Sequence, residues 1–153
     1  MSELDVVIKL KAVGLDDMKD DLKNIRKRMG DLRPVWPKVN ASLKKYLIEN
    51  FTAQGLPSGG WKPLDAQYGS WKSAHFPGAP LLVQTGALFE KVVKGPDLDG
   101  NKRSATFSFG GEIAKFHQYG TTKMAKRENI FSPDLWEKDV AKMIEDYIID
   151  GTI

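Results

Sequence analysis

The chain has 153 residues and no cysteine, and 41% of its residues are hydrophobic, 28% are charged, and its formal net charge is +3. This length suits one domain, and the composition is typical of a soluble globular protein rather than a disordered one. The composition excludes disulfides, a thiolate nucleophile and a cysteine zinc site, and neither a membrane span nor a secretion signal is predicted.

The first part of the chain predicts one strand and two helices. Over residues 4–10 every second side chain is apolar, and Asp5 and Lys9 lie between them, as in a strand with one buried face. In residues 15–29 apolar side chains recur at steps of three and four, and Gly30 is a plausible helix end. Residues 36–51 repeat the helical spacing. The short link between the two helices predicts that they pack as an antiparallel pair.

The middle of the chain loses this periodicity. Residues 54–80 are rich in Gly, Pro, Ser and aromatic residues and predict a long loop of the kind that is often functional. A short helix is predicted after Thr85, running into a strand around residues 92–94. Residues 105–109 alternate as the second strand of a hairpin. Residues 121–131 predict a polar, basic loop or an extended arm.

The last part of the chain predicts two more helices. Residues 112–119 form a short helical pattern closed by Gly120. The clearest helical pattern follows Ser132, a predicted N-cap, with Pro133 in the first turn. The whole predicts an α+β fold in one domain, 1–153. In this fold a small antiparallel sheet packs against an N-terminal helical pair and a C-terminal helix, with a long Gly/Pro/aromatic loop.

Charge is distributed unevenly along the chain. Residues 132–153 carry a net charge of −4, so the rest of the chain carries +7. The two regions could be ordinary solvated surfaces. Alternatively, the acidic C-terminal segment could contact a basic surface on the next copy of the chain, head to tail. The sequence leaves both interpretations open.

The chain shows no pattern typical of an active site or a metal site. Its two histidines, His75 and His117, lack the spacing of metal ligands, and no phosphate-binding loop or nucleophile motif is present. No catalytic residue, metal ligand or cofactor is therefore predicted. His117 lies among aromatic residues just before Gly120, which favours a structural role. Its imidazole could bond a backbone carbonyl on one side and a neighbouring chain on the other.

Three short motifs follow one another in a fixed order. They read G-W-x-P-L, L-x-x-T-G-x-L and H-Q-x-G, and an arginine and a C-terminal helix come after them. This order resembles the bacteriophage virion morphogenesis and tail completion proteins, the Mu-type and P2-type group with its siphophage relatives. The matching residues are Gly60, Trp61, Pro63, Leu64, Leu82, Thr85, Gly86, Leu88, His117, Gln118, Gly120 and Arg127.

The chain departs from the family pattern at three places. Glu128 and Asn129 follow Arg127 where the family usually has Pro and Phe, and Phe89 stands where a serine is common. These changes bear on the contacts of the loop after the arginine. The N-terminal strand and first helix lie outside the region that the three motifs cover.

The resemblance implies a structural virion protein of the phage neck or tail top, and not an enzyme. Such a protein completes the tail and supports head–tail joining as a homo-oligomeric ring, six-fold or twelve-fold, around the DNA channel. The implied partners are the tail terminator or tail tube and the head–tail connector. DNA would pass through without sequence recognition, and no membrane or cofactor is implied. The protein would be assembled in the host cytoplasm and reside in the virion.

Other functions remain open from the sequence. A tail terminator or a head–tail connector subunit is the nearest alternative. A nucleic-acid-binding accessory protein is a different class, and steep salt dependence of DNA affinity would favour it. An enzyme that degrades the cell wall would need paired carboxylates or a metal cluster. The basic residues that could serve the nucleic-acid-binding class, together with exposed tryptophans, are Arg26, Lys27, Arg28, Lys44 and Lys45.

Overall fold

A computed structural model describes residues 11, 13–94, 96–109, 111–130 and 133–153. The helices and one two-stranded antiparallel sheet confirm the predicted α+β class, with its N-terminal helical pair and C-terminal helix. The strand predicted for residues 4–10 lies outside the described residues. In chain order the elements are α1 (Leu15–Met29), α2 (Trp36–Thr52), a 3₁₀ turn (Leu56–Ser58), α3 (Ala66–His75), α4 (Ala87–Val93), β1 (Asp97–Gly100), β2 (Ala105–Ser108), α5 (Glu112–Tyr119) and α6 (Asp134–Asp150).

Helix α2 is the central element, because its apolar seam is buried along its whole length. One apolar cluster joins the start of α2 to α6, through Trp36 and Tyr147. A second cluster joins the end of α2 to α4 and the neighbouring loops, through Phe51, Leu82 and Val92. A helix of 17 residues is roughly 25 Å long. The two clusters follow one another along this helix and meet at Phe107 and Trp136.

Helix α1 confirms the helix predicted over residues 15–29, but none of its side chains is buried. Its apolar seam is open to solvent, with Met18, Leu22 and Met29 each about half exposed. Its principal helix contact is with α6. The antiparallel packing on α2 that the short link predicts is not what holds α1 in place.

Arg28 makes side-chain hydrogen bonds between α1 and α6. Its Nε donates to the carbonyl of Ile148 at 2.7 Å, and its Nη2 donates to the carbonyl of Ile149. The last carbonyls of a helix have no partner within the helix and carry negative partial charge. Arg28 therefore caps the C-terminal end of α6, which gives one member of the basic cluster in α1 a structural role.

The hairpin differs in part from the prediction. β1 and β2 pair in antiparallel register over four residue pairs, and β2 confirms the strand predicted over residues 105–109. The strand predicted around residues 92–94 is wrong. Val92 and Val93 are β-branched, but both end α4 and are buried against the end of α2. Packing outweighs the β-propensity of these two residues, which is a weak preference.

Residues 54–80, predicted as one long loop, contain α3. The carboxylate of Asp65 begins this helix, because it accepts hydrogen bonds from two backbone amides of the first turn, at 3.0 and 3.1 Å. Tyr68, Trp71 and His75 stack along one exposed side of the helix. Stacked aromatic rings at this spacing do not form the apolar seam by which helices are predicted, so the helix was missed.

The C-terminal third is close to the prediction. Helix α5 is present as predicted. Residues 121–130 form no helix or strand, as expected for a loop, but Arg127 and Asn129 are buried, so the second half is not a free arm. Helix α6 begins one residue later than predicted, because Pro133 takes the N-cap position. Ser132 lies outside the described residues. No helix in the described part of the chain is long and apolar enough to cross a bilayer.

We expect Arg28→Met to lower the free energy of unfolding by about 1–2 kcal/mol, because the last carbonyls of α6 lose a charged donor. Urea denaturation followed by circular dichroism measures this loss. Arg26→Met removes a neighbouring exposed arginine and is the matched control, with an expected change below about 0.5 kcal/mol. Equal losses in the two variants would contradict the capping role.

Candidate functional site

Trp61 is the buried centre of the first motif. Its ring packs edge to face on Phe51, with centroids 5.3 Å apart, and its indole N–H donates to the backbone carbonyl of Glu128 at 2.8 Å. The side-chain amide of Asn50, in α2, donates to the same carbonyl at 3.0 Å. Gly55 lies so close that a Cβ there would be 2.2 Å from the indole Cδ1. One carbonyl therefore joins the first motif, the end of α2 and the loop after α5.

Arg127 connects the first motif to the third. Its side chain is buried, and its Nε and Nη2 donate to the carbonyls of Lys62 and Pro63, both at 2.7 Å. Its backbone N–H donates to the carbonyl of His117, also at 2.7 Å. Burial lowers the pKa of Arg127, but a guanidinium stays charged in proteins. The residue thus acts as a clamp on backbone groups of two distant segments.

Gln118 holds the loop that follows Arg127. Its Oε1 accepts from the backbone N–H groups of Asn129 and Ile130, at 3.0 and 2.9 Å, and its Nε2 donates to the carbonyl of Ile130 at 2.9 Å. Asn129 is fully buried and donates to the carbonyl of Ala114 at 2.9 Å. The loop therefore stays docked despite the departures from the family pattern, since Glu128 contributes its backbone carbonyl to this docking.

The second motif positions α4. Leu82 is buried, and Leu88 packs against the same apolar cluster. Gly86 has a φ of 85°, which lets the chain turn into the helix. Thr85 is exposed, with its Oγ1 3.5 Å from the backbone nitrogen of Ala87. This segment supplies packing and a turn.

Among the remaining motif residues, two glycines allow backbone conformations that other residues rarely adopt. Gly60 has a φ of 84°, Pro63 is exposed and Leu64 is half-buried. Gly120 has a φ of 74°, and a Cβ there would lie 2.9 Å from the backbone nitrogen of Lys126. Only glycine fits this close approach of two chain segments.

His117 is half-buried and its side chain takes no partner among the described residues. Burial, and then the charge of Arg127, lowers the pKa of His117 below its ordinary value. Its Nδ1 is buried without a hydrogen bond in the described part of the chain. The predicted bond from the imidazole to a carbonyl is therefore wrong there, and the backbone of His117 makes the contact instead. His75 lies apart, bonded to the carbonyl of Trp71.

The three motifs meet at a cleft of about 160 Å³ between α3, α4 and α5. The described residues contain no group of three His, Asp or Glu side chains that could hold a metal ion. The cleft therefore offers shape and charge, without the ligand set of a metal site. The motif residues that line it are Leu64, Leu82, Thr85, Gly86, Leu88 and His117.

Lys72 also lines this cleft, from α3. It is only 4% exposed, and its Nζ donates to the carbonyls of Pro80 and Leu81. Burial, and then the charge of Arg127, lowers the pKa of Lys72. Neither cation forms an ion pair within the described residues; the ion pairs found there lie elsewhere. The site carries positive charge without an acidic partner in this part of the chain.

Sequence reasoning missed the contributions of Asn50, Gly55 and Asn129. Asn50 lies three residues after Leu47 in α2, so it falls on the buried seam. An amide at a buried position indicates a hydrogen bond, and this signal was available. Nothing in the local sequence marks the roles of Gly55 and Asn129, because both depend on a segment far along the chain.

Comparison with known protein families identifies a match. The family model of the phage virion morphogenesis family matches residues 13–145 of the 153. The match covers the three motifs and the cleft, and it extends over α1, beyond the region of the motifs. No curated protein and no solved structure matches the chain.

We expect Gly55→Ala to destabilise the fold by about 3 kcal/mol, because the new methyl group overlaps the Trp61 indole and the backbone φ of 79° strains an alanine. Gly59→Ala is the matched control. It has a φ of 95° with no atom near the new methyl group, so we expect only about 1 kcal/mol. Chemical denaturation measures both, and similar losses would show that Trp61 does not pack against this turn.

We expect stability to fall as the pH drops below about 6.5, because the unfolded chain protonates His117 at a higher pH than the folded chain does. The loss of stability continues as the pH falls to the lowered pKa of His117 in the folded chain. His117→Gln should flatten the dependence of unfolding free energy on pH between about 8 and 5. A slope that persists in His117→Gln would contradict this assignment.

Proposed function

The chain belongs to the phage virion morphogenesis family, and from this premise we propose that it is a structural protein of the phage neck or tail top. Family membership gives it a structural or assembly role in the phage virion. The finer proposal is that it completes the tail and supports the joining of tail to head. It would act as a homo-oligomeric ring of six or twelve subunits around the DNA channel, in contact with the tail terminator or tail tube and the connector.

The observation that carries this proposal is how the polar motif residues use their hydrogen bonds. Arg127 and Gln118 bind backbone groups of the loops beside them, and Trp61 does the same through its indole N–H. Side chains whose hydrogen bonds go to the protein's own backbone fix the conformation of these loops. This supports a protein that works by assembly and not by turnover, and DNA would pass along the channel without recognition of its sequence.

The charge distribution supports a ring. Exposed acidic side chains, such as Glu145 and Asp150, lie on α6 near the start of α2. The buried cations Lys72 and Arg127 lie near its other end. A contact between two different surfaces of identical subunits closes into a ring when the rotation between neighbours divides a full turn. The acidic helix of one copy facing a basic surface of the next is such a contact.

The nucleic-acid-binding alternative has less support. Of the basic side chains proposed for it, Arg28 is engaged on the end of α6, whereas Arg26, Lys27 and Lys45 are exposed. Trp61 is buried. Trp71 is exposed, but it stacks with neighbouring rings of its own helix. The tail terminator and head–tail connector alternatives use the same family evidence, and they differ from tail completion in the particles that accumulate when the protein is missing.

We expect a phage with a stop codon early in this gene to produce packaged heads beside unattached tails, because the joining step lacks its component. Electron microscopy of lysates measures the particle types, and the intact gene supplied in trans is the control that restores virions. Tails of uncontrolled length would favour a terminator. Complete infectious virions without the protein would overturn the assembly function.

A further inference from the structure

The cleft between α3, α4 and α5 combines a buried cation with an apolar rim. Lys72 lines the cleft and is almost fully buried, whereas Tyr68 and Ile113, which line it too, are 44% and 57% exposed. His117 also lines the cleft, and its exposure is intermediate between that of Lys72 and those of Tyr68 and Ile113. An occupant of this cleft would therefore meet apolar side chains first and positive charge deeper inside.

The positive charge in this region has no negative partner within the described residues. Lys72 and Arg127 repel one another across the site, and each donates only to backbone carbonyls. A buried charge is costly unless an opposite charge compensates it. An ammonium group has three donors, and two of those of Lys72 are used. The third donor of Lys72 has no partner within the described residues and can bond an incoming acceptor.

The size of the cleft limits what can enter. Its volume of about 160 Å³ is smaller than the roughly 300–1,000 Å³ typical of small-molecule and cofactor sites. Lys72 also lines an adjoining cavity of about 330 Å³, at the lower limit of that range. The phosphates of a DNA duplex lie on a convex cylinder and cannot approach a lysine that is 96% buried, as the 4% exposure of Lys72 implies. One acidic side chain, carried on a protein segment, has the reach and the size.

We propose that this cleft binds a carboxylate side chain from α6 of a second copy of the chain. The inference rests on the proposed ring and names its contact. On α6, Glu145 and Asp150 are exposed, and Ile149, one turn after Glu145, is 52% exposed. Acidic side chains beside an exposed apolar one match a cleft with an apolar rim and a buried cation.

The two surfaces are placed for a head-to-tail contact. The C-terminal half of α6 belongs to the cluster of Trp36 and Tyr147 at the start of α2. Leu82 and Leu88, which line the cleft, belong to the other cluster, which packs on the second half of α2. Because donor and receptor lie at different ends of one chain, each copy can give its acid to one neighbour and receive an acid from the other.

Cysteine cross-linking tests the contact directly, because the native chain contains no cysteine. The double variant Ile113→Cys with Ile149→Cys should form a ladder of disulfide-linked multimers under oxidising conditions. Each single variant should stop at dimers. A control pair, Leu56→Cys with Ile149→Cys, uses a 73% exposed position away from the cleft and should give no ladder. If sedimentation shows that the variants form oligomers, two results would overturn the contact. One is the absence of a ladder in the double variant, and the other is an equal ladder in the control pair.

A charge variant tests the cation. Lys72→Met keeps the apolar stem and removes the charge, and we expect it to abolish oligomers in sedimentation velocity while circular dichroism shows a folded chain. The combined Glu145→Gln and Asp150→Asn variant should have the same effect. Lys115→Met, which removes an exposed lysine of α5, should assemble as the native chain does. Oligomers of native size in both charge variants would overturn the proposal.

Titration with sodium acetate tests the cleft even if the isolated chain does not assemble. At pH 7 and constant ionic strength, acetate should shift the NMR signals of the His117 ring in a saturable way, and Lys72→Met should lose this shift. His75 is the internal control. Equal, unsaturated drift of both histidines would overturn the site. A response to inorganic phosphate but not acetate, with no cysteine ladder, would assign the cleft to phosphate instead.

These outcomes separate the contact from the proposed function. A missing ladder, together with unattached tails in lysates of the interrupted phage, would overturn the contact and leave the neck function standing. Complete virions from the interrupted phage, together with a cysteine ladder, would overturn the neck function and leave the contact between copies standing.

Discussion

The carbonyl of Glu128 is the point on which the rest of this structure depends. It accepts a hydrogen bond from Asn50 in the central helix and another from the indole of Trp61. Irregular segments have no ladder of their own to satisfy their backbone groups, so a buried loop needs side chains that do so. Arg127 and Gln118 also bond backbone groups with their side chains: Arg127 donates to the carbonyls of Lys62 and Pro63, and Gln118 accepts from the N–H of Asn129. The protein holds a small sheet and several loops in place with side chain to backbone bonds.

This dependence explains which parts of the fold could be predicted. Helices α2 and α6 were predicted because apolar side chains at helical spacing are a local signal. The hairpin was misplaced because Val92 and Val93 have strand propensity but are buried in α4, which is decided by packing far along the chain. Helix α3 was missed because its order comes from the Asp65 cap and stacked rings.

The sequence predicted which residues belong to the candidate site, but not the contacts that they make. The order of the motifs identified residues such as Trp61 and Gln118, but no spacing rule states that a tryptophan will bond a carbonyl 67 residues away. Lys72 is the clearest case, because its burial, and the lack of an acidic partner for it among the described residues, follow only from the meeting of three segments. Long-range polar contacts leave no periodic trace in a sequence.

Helix α1 has a consequence for the lifetime of the free subunit. A helix of 15 residues is marginally stable in water by itself, and this one buries no side chain in the described structure. It packs on α6, where Arg28 bonds the carbonyl of Ile148 and Ile25 is half-buried. The opening of α1 therefore requires little free energy compared with unfolding of the core, so its amide protons should exchange with solvent long before those of α2. Proteases would cut an unassembled subunit in this helix sooner than in α2, and burial of its apolar seam in an assembly would protect it.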